Sequence, residues 1–191
     1  MKSALRIIIF VVVMGTVSGS ILFGVNSLTA GRIAHNEELK LKTAFLEALE
    51  VVYSQDEVLK TFAGNVEAVE KEGLVFYRGK DQSVAFEFRG PGLWGPIYGI
   101  ISLNPDLKTV RRINILHQEE TPGLGARIAD NSYLSQFKNK EFLPSLVFTP
   151  AGQAKANNEV DGITGATGSS KALEKLLNET IQKNISRLKN A

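Results

Sequence analysis

Residues 74–116 read LVFYRGKDQSVAFEFRGPGLWGPIYGIISLNPDLKTVRRINIL. Four short runs in it are rich in β-branched and aromatic residues: Leu74 to Arg78, Val84 to Phe88, Ile97 to Leu103 and Val110 to Leu116. Turn signals at Gly79-Lys80-Asp81 and Asn104-Pro105-Asp106 separate them, and this spacing predicts antiparallel strands. The alternation Ala85, Phe86, Glu87, Phe88 marks one inward and one outward face. Between the second and third runs, Gly90-Pro91-Gly92-Leu93-Trp94-Gly95 formally satisfies G-x-G-x-x-G. A dinucleotide loop must open a helix, whereas strand-like Ile97 to Ile101 follows here and Pro91 removes an amide donor. A tight connection between two strands is the better reading, with Trp94 available to cover an aromatic ligand.

Toward the N-terminus, Leu39, Leu41, Ala44, Phe45, Ala48, Leu49 and Val52 recur at helical spacing and predict an amphipathic helix over Asn36 to Tyr53. Before it, Ile7 to Leu28 carries no formal charge, and as a helix these residues extend about 33 Å, the thickness of a bilayer core. Lys2 and Arg6 precede this stretch and Arg32, Glu37 and Glu38 follow it. The positive-inside bias then predicts residues 1–6 in the cytoplasm, 7–28 across the membrane and 29–191 as one extracytoplasmic domain. The competing reading is a cleaved signal peptide. The apolar stretch exceeds the usual core of roughly 7–15 residues, and Leu28-Thr29-Ala30 is a poor cleavage site.

Toward the C-terminus the chain turns at Glu120-Thr121-Pro122-Gly123-Leu124-Gly125, and a helix is expected around Ala129 to Phe137. An apolar Leu146 to Phe148 run follows. In a final helix, Leu173, Leu176, Leu177, Thr180, Ile181 and Leu188 trace one face, with Ser169 or Ser170 as its cap. The sequons at Asn178 and Asn184 fall on this helix and read as its polar face. The fold class is α+β.

Composition narrows the chemistry. There is no cysteine among the 191 residues, which leaves the chain without thiolates for an iron-sulfur cluster, a zinc site or a nucleophile. His35 and His117 stand far apart, with no spacing that suggests metal ligation. Lys2 and Arg6 account for the net charge of +2, so the rest is neutral and without a basic run, which argues against nucleic acid. Ser169 and Ser170 have no nucleophile elbow and no adjacent histidine. Glu119 and Glu120 are adjacent carboxylates without a partner nucleophile and read as a solvated edge. No catalytic residue and no metal site is expected.

Two other glycine-bearing segments suit a ligand. In ETPGLG, Pro122 stiffens the loop while Gly123 and Gly125 permit close approach of a flat molecule. In Asp161-Gly162-Ile163-Thr164-Gly165-Ala166-Thr167-Gly168, small residues surround Thr167 at the start of the final helix, where free amides and the helix dipole favour a phosphate. A capping turn would use the same residues equally well.

Taken in order, GLWG, ETPGLG and DGITGAT behind one N-terminal anchor resemble the covalent-FMN-binding domain of the RnfG and NqrC subunits of Rnf and Na⁺-translocating NADH:quinone oxidoreductase complexes. The resemblance implies FMN joined through its phosphate to Thr167, with Asp161, Thr164, Gly165 and Ala166 as the surrounding recognition sequence. It places Thr121, Gly123, Leu124 and Gly125 against the isoalloxazine, with Trp94 as a flavin-side aromatic. It further implies an extracytoplasmic flavin transferase that donates FMN from FAD, and neighbouring membrane subunits that hold the iron-sulfur clusters. The chain would then be an electron carrier, not catalytic alone, within an ion-translocating complex. Its compact length and the modest span between anchor and domain look closer to RnfG, whereas GLWG followed by Pro-Ile-Tyr looks closer to NqrC; length tips the expectation to the Rnf type, with reduced ferredoxin as electron source, over the Nqr type, with NADH. The alternative of another class is a membrane-anchored binding or regulatory module in which Thr167 only starts a helix.

Overall fold

The computed structural model describes residues 2–189. The chain divides into two units, Met1–Leu41 and Lys42–Ala191. In the first, the helix α1 (Lys2–Ala48) runs through the apolar stretch. Its side chains from Leu5 to Leu28 are largely exposed, and the helix is long and apolar enough to cross a membrane.

The second unit begins with the last turns of α1, where Ala44, Phe45, Leu46 and Ala48 are buried. The helix stops at Ala48, five residues before the expected Tyr53. Glu50 takes φ +54, its amide donates to Glu47 O (3.1 Å), and the Val51 amide donates to Leu46 O (2.9 Å). This is a Schellman closure, which normally uses glycine at the left-handed position. Here a glutamate occupies it, with its carboxylate bonded to Lys138 Nζ (2.5 Å) and Arg111 Nε (3.3 Å).

After a short 3₁₀ turn and α2 (Val58–Asn65), a five-stranded antiparallel meander follows: β1 (Val66–Lys71), β2 (Leu74–Gly79), β3 (Val84–Pro91), β4 (Pro96–Leu103) and β5 (Val110–His117). The last four are the expected strands. β1 adds an edge strand, joined to β2 by Glu72 and Gly73, both at positive φ as a tight hairpin turn requires. The interior strand β4 is covered on both faces. Ile97, Ile101 and Leu103 join the main core with Phe86 and Phe88, while Ser102, on the opposite face, donates to Ala48 O at the end of α1 (2.5 Å).

The expected helix over Ala129 to Phe137 is broken into a 3₁₀ turn (Gly125–Ala129), α3 (Asn131–Leu134) and a second 3₁₀ turn (Ser135–Phe137), because Asp130 is extended at φ −68°, ψ 131°. The Leu146 to Phe148 run becomes β6 (Val147–Thr149), which pairs in parallel with β7 (Glu159–Asp161). The final helix α4 (Thr167–Lys189) buries Leu173, Leu176, Leu177 and Ile181 against β3 and its neighbours. Neither sequon is a free polar face. Asn178 brackets the Leu146 backbone, accepting from its N–H (2.8 Å) and donating to its carbonyl (2.9 Å), and Asn184 is buried.

Candidate functional site

The GLWG turn, the ETPGLG loop and the start of α4 meet at one end of the sheet. The β3–β4 connection closes through the Gly92 amide donating to Gly95 O (2.8 Å), the tight strand-to-strand turn expected. Leu93 leans on the first turn of α4, so that a Cβ built on Gly168 would lie 2.7 Å from its Cδ2. Leu124 approaches the preceding loop in the same way, 3.4 Å from a Cβ built on Gly165, whose φ of +80° suits glycine. The three motifs, about 30 and 40 residues apart in sequence, are therefore neighbours in space.

The residue that joins them is Glu120, and the expectation of a solvated edge is wrong for it. It is 4% exposed. Its Oε1 accepts the amides of Leu93 (2.7 Å) and Trp94 (3.3 Å), and its Oε2 accepts the hydroxyl of Ser169 (2.5 Å). Buried carboxylates are costly unless so satisfied. Space for it is made by Gly92 and Gly125, since a Cβ at either would collide with the carboxylate or with Ser169. Glu119 does lie exposed, with Oε1 3.1 Å from His117 Nε2.

Ser169 and Ser170 do not cap α4 from outside, because the helix already begins at Thr167. Ser170 Oγ instead accepts the Ile163 amide (3.0 Å) and donates to Ala166 O (3.0 Å), tying the DGITGAT loop to the helix it leads into. The first α4 amide to reach a carbonyl four residues back is that of Ser170. The amides of Thr167, Gly168 and Ser169 precede it, the arrangement that favours an anion. Thr167 is exposed, as are Thr164 and Gly165, while Ala166 is buried under the turn. A cleft of about 410 Å³ opens beside Thr167, lined among others by Thr149, Ala151, Gly162, Thr164 and Lys171.

Asp161 sits one step back. Its Oδ1 accepts the amides of Gln153 and Ala154 (both 2.9 Å), and its backbone exchanges hydrogen bonds with the Gln136 side chain. It shapes the loop. Thr121 accepts the amides of Leu124 (3.2 Å) and Ala126 (3.0 Å) at its carbonyl, which leaves the loop folded with Gly123 at φ +73°. Leu93 and Leu124, 52% and 46% exposed, flank Thr167 through their approaches to Gly168 and Gly165, and Trp94, 71% exposed, follows Leu93 in the same turn. A flat aromatic ligand with a phosphate tail matches this arrangement: rings on the apolar side chains, phosphate at the helix start.

Comparison with known proteins agrees with this arrangement. The family described as "FMN-binding domain" matches residues 92–182, a stretch that holds all three motifs. Among relatives, the NqrC subunit of the Na(+)-translocating NADH-quinone reductase of Pasteurella multocida is 35% identical over 94 residues, covering 47% of this chain and 36% of that protein. NqrC of Haemophilus ducreyi is 35% identical over 101 residues, covering 50% and 39%. The chain thus spans about four-tenths of the length of these relatives. Among solved structures, NqrC of Parabacteroides distasonis superposes with a TM-score of 0.68 at 26% identity, covering 80% of this chain and 93% of that one. Shewanella oneidensis NqrC gives the same TM-score at 20% identity, covering 80% and 97%, and shares the fold. Motifs, fold and relatives agree: residues 92–182 match the FMN-binding domain, and the chain is similar to NqrC subunits in sequence and in fold.

Proposed function

We propose that this chain is a membrane-anchored electron carrier holding FMN through a phosphoester to Thr167, within an ion-translocating oxidoreductase complex of the Nqr type. The observation that carries this reading is the exposed Thr167 at the start of α4, flanked by Leu93 against Gly168 and Leu124 against Gly165, with Trp94 exposed in the same turn as Leu93. In attachment, Thr167 Oγ1 bonds to the FMN phosphorus of FAD, the pyrophosphate bond breaks, AMP leaves and the hydroxyl proton is released. A flavin transferase performs this step on the extracytoplasmic side, so Thr167 is its substrate. Asp161, Gly165 and Ala166 present the threonine, and Thr164 is its exposed neighbour.

Bound FMN supplies one- or two-electron chemistry. The chain's own contribution is to orient the rings against Thr121, Gly123, Leu124, Gly125 and Trp94 and to fix the phosphate at the helix start. Residues 7–28 anchor the domain 29–191, with residues 1–6 in the cytoplasm. The named relatives are of the Nqr type, and they support it over the Rnf type to which chain length mainly pointed. Neighbouring subunits then deliver and accept the electrons.

The test is to express the full chain with and without a flavin transferase, denature it and filter it. Flavin absorbance retained with the denatured chain only when the transferase is present supports the proposal. Flavin that passes into the filtrate in both preparations overturns the covalent reading and moves the chain toward a non-covalent binding module.

A further inference from the structure

Glu120 takes no part in the attachment of FMN, yet among the described residues it is the one side chain bonded to both the GLWG turn and the first turn of α4. We propose that Glu120 is a positioning residue, which locks the Leu93–Trp94 wall onto α4 before the flavin arrives. The inference rests on the flavin reading of the site for its consequence, but not for its geometry. A β3–β4 turn that places Leu93 and Trp94 in solvent has little apolar burial of its own to hold it. Its two amides instead converge on one carboxylate oxygen, while the second oxygen holds Ser169, two residues beyond Thr167. The wall and the attachment helix are thereby connected through a single buried group.

The surrounding glycines show how closely this seat is built. A Cβ at Gly92 would fall inside contact with Glu120 Oε1, and one at Gly125 would collide with Ser169 Oγ and crowd Glu120. Gln118 Oε1 also accepts the Glu120 amide (2.6 Å), fixing the backbone from which the carboxylate reaches inward. A glutamine at position 120 can reproduce the pattern, since its carbonyl oxygen accepts the two amides and its NH₂ donates to Ser169 Oγ. Alanine cannot. The role is therefore one of hydrogen-bonded placement.

The test uses the unmodified full chain in detergent and reads amide hydrogen exchange at Leu93 and Trp94. Glu120→Ala is expected to speed both by roughly tenfold, the factor equivalent to losing one hydrogen bond, with Glu120→Gln close to wild type. Gly125→Ala, whose Cβ would meet Ser169 Oγ and crowd the Glu120 side chain, displaces the carboxylate without deleting it, gives the same acceleration and serves as the second arm if exchange at Ile101 shows that Glu120→Ala has unfolded. Trp94 is the only tryptophan, so on the flavin-loaded chain its emission reports the wall directly. Flavin quenching of that emission weakens in Glu120→Ala and is restored in Glu120→Gln, at unchanged flavin content. Exchange at wild-type rate in both the Glu120→Ala and the Gly125→Ala variants, with Ile101 protected, overturns the proposal. Failure of the wild type to take up flavin contradicts the function proposed above and leaves the exchange result, measured on the unmodified chain, to decide this one.

Discussion

At the residue scale, the site separates side chains that touch the proposed ligand from those that hold the backbone under it. Trp94 belongs to the first group. Because it is 71% exposed, Trp94→Ala should shift stability by less than about 0.5 kcal/mol, while fluorescence of the attached flavin rises as a quenching neighbour is lost. Urea denaturation and flavin emission check the two halves. Gly165 belongs to the second group. At φ +80°, Gly165→Ala places a side chain in the left-handed region beside Leu124 and should cost roughly 1–2 kcal/mol, read as a lower urea midpoint at unchanged slope. The two groups were unequally legible in the sequence. Thr167 and Leu124 stand in recognisable motifs, and although Glu120 opens ETPGLG, beside Glu119 it looks like half of an acidic pair. Only the packing of Gly92 and Gly125 around its carboxylate reveals its burial.

At the element scale, strands β2 to β5 were legible because alternation and turn residues agree, and the apolar face of α4 because its period is unbroken. β1 escaped notice since Glu67, Glu70 and Lys71 make it a charged edge strand. The early end of α1 was hidden by Glu50, a residue seldom used where glycine closes a helix. Its carboxyl is held below the usual range, first by the hydrogen bond from Lys138 and then, against a desolvation cost, by the charges of Lys138 and Arg111. A carboxyl depressed in the folded state contributes stability above its unfolded value of 4.5, and that contribution is lost as pH falls through the folded value. Glu50→Gln should therefore lower stability by up to about 1 kcal/mol at pH 7, with the difference from wild type shrinking below pH 4.5. Thermal melts across that range test the direction. On α4, Asn178→Ala strands the Leu146 N–H and C=O and should cost roughly 1–3 kcal/mol, measurable by urea denaturation.

At the scale of the whole molecule, the chain pairs an apolar helix with a domain that has a core of its own. The main core draws on residues from Phe76 to Ile185, all of them in the second unit. If residues 7–28 are the anchor, the full chain should resist extraction of membranes at alkaline pH, and a chain lacking those residues should be released while keeping its fold by circular dichroism. Release of both would remove the anchor from the account. Fold class was legible at this scale because helix and strand periods occupy separate parts of the sequence. The convergence of three loops was not, since it depends on how α4 lies along β3, which no local period encodes.

The central claim is that FMN is carried on Thr167. Tryptic cleavage after Lys155 and Lys171 releases one peptide that contains both Thr164 and Thr167, and fragment masses within it locate an added group. From chain produced with a flavin transferase, the account predicts a gain of one FMN less water on fragments containing Thr167, lost in Thr167→Ala and kept in Thr164→Ala. A gain on Thr164, or one that survives Thr167→Ala, would contradict it.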